Sequence, residues 1–181
     1  MLVEVYNLFK ALDSHKKSKG IYDHKNFIKA IKKGNCLFDN DEHHDSHEYI
    51  SWLLDDIHEN YIKALAAKPD PNIKYGPRES FVSEFFEGKL DNTFMCLTCE
   101  RANTRQESFL NLSIDIEMGS SLSYCMQRFS LKELLNKGDK FQCDNCNAKQ
   151  VATKEITVYK YPKLLLLHLK RFKIDPRYYT H

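Results

Sequence analysis

Residues 95–100 read MCLTCE and residues 142–147 read QCDNCN. Each is a Cys-x-x-Cys turn, which offers two thiolates from one tight loop, and two such turns together fill the four-coordinate sphere of a zinc ion. Cys96, Cys99, Cys143 and Cys146 are therefore read as the ligands of one structural zinc. Four cysteines argue for a closed site, because a catalytic zinc keeps one position open for water. The interval between the turns is wider than the roughly 15–20 residues of a simple ribbon. It holds an alternating strand able to travel out and back, so the metal would staple the tip of a long excursion. A pair of redox dithiols would need a βαβ context that the flanking sequence lacks. Unpaired buried thiols would not fall into two matched pairs.

With 181 residues, 42% hydrophobic and 29% charged, the chain has the length and composition of one globular domain with a sizeable core. The formal net charge of +2 is not gathered into a dominant basic block. Around the cysteine turns stand Glu100, Arg101, Asp144, Asn145, Asn147 and Lys149. That mixture of signs does not suit a nucleic-acid-binding ribbon, so no nucleic-acid partner is expected. The opening MLVEVYNLFKALDSHKK lacks a basic n-region, a continuous apolar core and a small-residue cleavage site. No run approaches the roughly 18 apolar residues of a membrane span. The chain is expected to work inside the cell, in cytoplasm, nucleus or both, without a membrane partner. In a reducing compartment Cys-x-x-Cys pairs serve as metal sites or catalytic dithiols more often than as disulfides.

The texture of the sequence changes along its length. Residues 1–67 carry helical periodicity: VEVYNLFKAL, then HKNFIKAIKK behind an Asp23 N-cap, then a long amphipathic segment from about Asp45 to Lys68. In that segment Tyr49, Ile50, Leu53, Leu54, Ile57, Tyr61, Ile62 and Leu65 recur at spacings of three and four. Residues 68–80 form a loop, since Pro69, Pro71 and Pro77 crowd into it. Beyond it the period falls to two, with Leu110, Leu112, Ile114 and Ile116 alternating with polar residues, and EITVYKY continues in that style. Ser130 and Glu133 in SLKE read as the capping box of a short helix. KLLLLHLKRF reads as a fully buried strand. The expected class is α+β.

Within LFDNDEHHDSHEYISWLL (37–54), Asp45 and Glu48 open the long helix, where free N–H groups and the helix dipole favour carboxylates. Spacing alone leaves two readings open: caps, or an acidic rim that meets a basic peptide. His43, His44, His47 and His58 do not fall into a known ligand order such as H-E-x-x-H, so no second metal is expected.

DSHEYI (45–50) resembles the Asp-Ala-His-Glu-Phe signature of the ubiquitin-specific proteases, papain-like cysteine peptidases that remove ubiquitin. FFEGKLDNTFMCLTCE followed by ESFLNLSIDI resembles the fingers of that family, and YPKLLLLHLKRFK its Pro-x-x-Leu-x-x-x-Leu-Lys-Arg-Phe strand. The blocks keep the family's order over about residues 2 to 175. CLTCE, FLNLSIDI and LLLLHLKRF are most similar to the branch activated by WD-repeat partners. The resemblance implies a partial papain-like fold: a helical thumb portion at 1–67, the loop at 68–80, zinc-ribbon fingers at 81–160, and the start of antiparallel palm strands at 161–181.

The same resemblance implies that the four cysteines are the zinc ligands of the fingers, and that Asp45 and Glu48 contact the arginine-bearing tail of ubiquitin. Tyr49 replaces the usual Phe, and His43-His44 the usual glutamines. His168 would be structural. The implied partners are ubiquitin, ubiquitinated proteins and a WD-repeat activator on the fingers. The implied activity is that of a thiol-dependent deubiquitinase, yet no catalytic residue is assigned here. The nucleophile box of the family precedes these blocks, its Gly-His-Tyr box follows them, and neither is present. Cys36, in GNC, stands directly before LFDN rather than well upstream of it, and Cys125 reads as a small packed hydrophobe. A fragment without the nucleophile is expected, inactive by itself. The other class left open is a catalytically inactive zinc-ribbon module that binds ubiquitin or a partner.

Overall fold

The computed structural model describes residues 2–14, 23–68 and 74–171. The chain divides into two compact units, Met1–Ser83 and Glu84–His181.

The first unit is helical. It contains α1 (Leu2–Ser14), α2 (Lys25–Gly34), a 3-10 turn (Cys36–Phe38) and α3 (Ser46–Ala67), and α4 (Phe81–Phe86) begins in it. The periodic segment expected from Asp45 onward is α3, with Ile57 buried on its inner face. Phe38 is buried between helices, with its ring 5.5 Å from Tyr49 and 5.4 Å from Trp52. The Phe38–Tyr49 contact is edge-on and the Phe38–Trp52 contact tilted, and such ring pairs add to the area the rings bury. At α2 the formal N-cap is His24, whose side chain caps nothing. Asp23 does part of that work, because its Oδ1 accepts the N–H of Lys25 at 3.0 Å. Ser80 is fully buried, and its hydroxyl accepts the N–H of Val82 at 3.1 Å while lying 2.7 Å from Nδ1 of His58 on α3. Pro69 and Pro71 lie outside the described residues.

The second unit is built on strands: β1 (Gly88–Cys96), β2 (Ala102–Phe109), β3 (Asn111–Asp115), β4 (Glu133–Leu135), β5 (Phe141–Cys143), β6 (Ala148–Gln150), β7 (Ala152–Lys160) and β8 (Leu166–Lys170). An antiparallel sheet runs in the order β2-β1-β7-β4, and β5 and β6 form a small hairpin. At the start of β1, Gly88 pairs with Phe109, whose ring would stand 2.3 Å from any Cβ placed there. The alternation at 110–116 has its cause in β3, where Leu112 and Ile114 point into the core with Cys125. Leu90, Phe109, Phe129, Val158 and Leu167 close around them. Among the described residues no helix is long and apolar enough to cross a membrane.

Three local expectations are corrected. Ser130 and Glu133 do not open a helix. Ser130 closes α5 (Leu122–Phe129), which is capped instead by Ser121, and Glu133 starts β4, whose backbone bonds to β7 outweigh the local capping signal. β8 covers only part of KLLLLHLKRF and is half-buried, with Leu169 and Lys170 exposed, because β3 is its one strand partner among the described residues. That pairing is parallel, Ser113 opposite His168, whereas antiparallel palm strands were expected.

Candidate metal centre and acidic helix terminus

The sheet brings the two cysteine turns together. β1 ends on Cys96, and the chain turns through Leu97–Cys99 before β2 departs. Backbone bonds close this turn: the N–H of Glu100 donates to Cys96 O at 2.9 Å, and that of Cys96 to Arg101 O at 3.0 Å. β5 ends on Cys143, and the second turn, which carries Cys146, leads into β6. In each turn the residue after the second cysteine is left-handed, Glu100 at φ 57° and Asn147 at φ 49°. The two turns are pinned to each other by Thr98, whose hydroxyl donates to Gln150 Oε1 at 2.8 Å, and by the N–H of Leu97 on Val151 O at 2.9 Å. Stacked rings of Phe94 and Phe141, 5.2 Å apart, support them from the sheet.

The four Sγ atoms lie within 4.8 Å of one another. Cys96 and Cys146 are 3.9 Å apart, Cys99 and Cys143 3.7 Å. A tetrahedron with metal–sulfur bonds of about 2.3 Å has edges of about 3.8 Å, so the donor set fits zinc in size and in type. Electrostatics point the same way. The N–H of Arg101 is the chief cause that lowers the Cys99 thiol to about 6, and the N–H of Cys99 that lowers Cys96. Cys146, sharing hydrogen bonds first with Cys99, is pushed up to about 12. Backbone donors thus favour thiolates at the first turn, while four sulfurs this close resist full ionisation unless a cation joins them.

In the helical unit, Asp45 and Glu48 lie three apart at the start of α3, on one face, and both are exposed. Asp45 is a true N-cap, with Oδ1 accepting the N–H of His47 at 2.7 Å. Glu48 makes no hydrogen bond or ion pair among the described residues, so capping does not account for it. The histidines do not converge: His44 Nε2 is 2.7 Å from Asn40, His47 Nε2 3.5 Å from Ser51, and His58 stands at Ser80. Of the other thiols, Cys125 is buried 3.1 Å from the Ser120 hydroxyl, while Cys36 is exposed. Nδ1 of His168 lies 3.1 Å from the Ser113 hydroxyl, a contact between paired strands.

Sequence reading missed a groove of about 440 Å³ next to Asp45, formed by Phe27, Ile28, Ile31, Phe38 and Tyr49. It also missed a concavity of about 540 Å³ on the sheet face that carries Leu90, Asn92 and Phe94. The groove joins three consecutive elements and the concavity joins strands distant in sequence, and no single periodic segment announces either.

A family model described as ubiquitin carboxyl-terminal hydrolase matches residues 1–180. The chain belongs to that family. Ubiquitin carboxyl-terminal hydrolase 4 of Arabidopsis thaliana is 36% identical over 96% of this chain and 53% of its own length. Ubiquitin carboxyl-terminal hydrolase 12 of Salmo salar is 34% identical over 96% of this chain and 50% of its own length. The chain thus spans about half the length of these relatives. Among solved structures, the SAGA Ubp8/Sgf11/Sus1/Sgf73 DUB module bound to ubiquitin aldehyde superimposes with a TM-score of 0.67 at 30% identity, over 83% of this chain and 32% of the matched chain. The same module bound to monoubiquitin matches to the same extent. The family is thus that of cysteine-type ubiquitinyl hydrolases, and the α+β architecture with its four-cysteine cluster is that of the ubiquitin-specific protease fold.

Proposed function

We propose that this chain supplies the ubiquitin-binding and metal-stapled portion of a thiol-dependent deubiquitinase. The family match along residues 1–180 carries the reading. In that reaction a thiolate attacks the isopeptide carbonyl, the lysine amine leaves with a proton from a histidine, and water then releases ubiquitin from the thioester. The share of this chain is to bind and orient. Cys96, Cys99, Cys143 and Cys146 would hold a zinc ion that cross-links the two turns and would take no part in the chemistry, since a four-sulfur site has no open position. Asp45 and Glu48 receive the basic tail of ubiquitin, a role supported by their exposure on one helical face and by the unengaged Glu48. Charge-assisted, bidentate pairs with arginine suit two such carboxylates.

No nucleophile is assigned to the chain. Four thiols belong to the metal cluster, Cys125 is buried, and the side chain of Cys36 makes no hydrogen bond among the described residues. In this reading residues 1–67 are the thumb portion, 68–80 the connecting loop, 81–160 the fingers and 161–181 the start of the palm, of which 15–22, 69–73 and 172–181 lie outside the described residues. The similarity of CLTCE, FLNLSIDI and LLLLHLKRF to the WD-repeat-activated branch supports an activator of that kind on the fingers, in cytoplasm or nucleus.

The test uses the purified chain with a fluorogenic ubiquitin substrate, a thiol-trapping ubiquitin probe and a ubiquitin titration. Binding without turnover or adduct is expected. A covalent adduct mapped to Cys36 would make that residue the nucleophile and overturn the assignment.

A further inference from the structure

Helix α2 carries four lysines in ten residues, Lys25, Lys29, Lys32 and Lys33, and no acidic residue. At about 100° per residue these four fall within an arc of about 100°. Lys25, Lys29 and Lys33 form a ladder with steps of about 6 Å along the axis. Like charges four apart on a helix repel, and a cation in the first turn opposes the helix dipole. Two lysines are partly neutralised, Lys25 by Asp23 at 3.9 Å and Lys32 by Asp39 at 3.6 Å. Lys29 and Lys33 are exposed and have no partner among the described residues. Among the described residues, Lys29 and Lys33 of this row thus have no carboxylate to pair with.

Beside this row lies the groove of about 440 Å³, with Ile28 and Lys32 on the lip it shares with the ladder. Its floor is apolar and recessed, for Ile31 is 7% and Phe38 8% exposed, and Tyr49 is half-buried. The other wall is the start of α3, where Asp45 already holds the N–H of His47. A hydrophobic slot for one side chain, with Lys32 on its lip, Asp45 on its far wall and the other α2 lysines beyond the lip, matches a particular ligand. In an extended peptide alternate side chains recur every 6.6–6.8 Å or so, close to the pitch of the ladder.

We propose that α2 and this groove form a docking surface for an acidic linear peptide in extended conformation, one bulky apolar side chain entering the groove and alternate carboxylates meeting Lys25, Lys29 and Lys33. A phosphate polymer has no side chain for the groove. A lipid surface needs a broad protruding apolar face, whereas the apolar residues here are mostly recessed. The groove shares Asp45 with the acidic terminus assigned to the ubiquitin tail, so the two readings are told apart by ligand charge: the tail is basic and needs Asp45 and Glu48, whereas the acidic peptide needs the lysines.

The probe is a fluorescein-labelled peptide in which phenylalanine is followed by glutamate at every second position with glycine between, titrated by anisotropy with the full chain. Binding is expected, with a loss of about tenfold when the glutamates become glutamines, from removing several surface ion pairs. Lys29→Glu with Lys33→Glu should weaken the acidic peptide by about tenfold or more, whereas Lys29→Arg with Lys33→Arg retains it. Asp45→Asn with Glu48→Gln takes an anion off the groove wall and should raise affinity for the acidic peptide while lowering affinity for ubiquitin. The proposal is overturned if the acidic peptide does not bind, if the glutamine peptide binds as well, or if charge reversal has no effect. It is overturned too if duplex DNA or phosphatidylserine vesicles bind the same lysines more tightly. Should circular dichroism show the reversed variant unfolded, the glutamate and glutamine peptides on the unaltered chain decide.

Discussion

Cys96 Sγ lies 3.9 Å from Cys146 Sγ although 50 residues separate them. Between them the chain runs out along β2, folds β3 and α5 into the core, and returns through β4 and β5. Closing a loop of that length costs chain entropy that grows only slowly with its size, so one cross-link at the tip constrains the whole excursion. The hydrogen bond from Thr98 to Gln150 and the stacked Phe94–Phe141 pair are small beside a metal bond. The site should therefore dominate the stability of this end of the sheet.

One tightly held zinc per chain is expected, with an apparent contribution of roughly 10–16 kcal/mol at neutral pH, as in small zinc modules. Elemental analysis of purified protein should give that stoichiometry, and Cys99→Ser should lose the metal together with the amide protection of β5 and β6. Protein that is free of zinc yet fully folded, or a Cys99→Ser variant with unchanged metal content, would refute the assignment.

The left-handed residues after each cysteine pair allow a finer test. Asn tolerates that region, and Gly is unhindered there, but a β-branched side chain is not. Asn147→Val should cost about 1–2 kcal/mol and loosen metal affinity, whereas Asn147→Gly should leave both nearly unchanged. Chelator competition and thermal melts on the two variants measure the difference. Equal behaviour would mean that the turn does not depend on the φ of 49° at Asn147.

The cysteine turns, α3 and β3 were legible in the sequence because their signals are local. Cys-x-x-Cys spacing, the three-and-four recurrence of α3 and the two-residue alternation of β3 each sit in one short window. Ser130 and Glu133 show the limit of such windows. Their pattern is that of a capping box, yet the backbone bonds from Glu133 and Leu135 to β7 decide the outcome. The parallel register of Ser113 with His168 spans 55 residues and leaves no trace in either strand alone. The α2 groove draws Phe27, Phe38 and Tyr49 from three elements, so its existence depends on packing. Helix α4 is six residues long, too short to show a period.

Within α3, Asp55 has its carboxyl raised above the ordinary range, first by burial, then by the negative charge of Glu59, with His58 acting the other way. A carboxyl whose folded pKa is raised favours the fold in its protonated form. That favourable term is complete below the unfolded pKa and is lost as pH rises through the folded one. At neutral pH the charge is therefore a liability. Asp55→Asn should stabilise the protein at pH 7 by about 0.2–0.5 kcal/mol, the size of a like-charge pair four apart on a helix. The gain should vanish below pH of about 4, where both forms are neutral. Denaturant melts at the two pH values check it, and a gain that persists in acid would locate the effect elsewhere.

The two carboxylates at the start of α3 can serve as helix caps or as ligands of the ubiquitin tail, and substitution separates these roles. Asparagine caps a helix as well as aspartate does, whereas alanine there costs about 1 kcal/mol. Asp45→Asn with Glu48→Gln removes both charges while the acceptor for the His47 N–H remains, so stability should fall only by the lost attraction to the helix dipole, about 0.3–1 kcal/mol per charge. If these residues bind the arginines of the ubiquitin tail, affinity should fall by about 2–5 kcal/mol, the usual loss when a desolvated charge pair is broken. Asp45→Ala alone should lower both stability and affinity. Calorimetric titration with ubiquitin, and with ubiquitin whose tail arginines are replaced by alanine, measures the coupling. If the neutral double variant binds ubiquitin as tightly as the parent does, Asp45 is a cap, Glu48 an ordinary surface residue, and the tail must be held elsewhere.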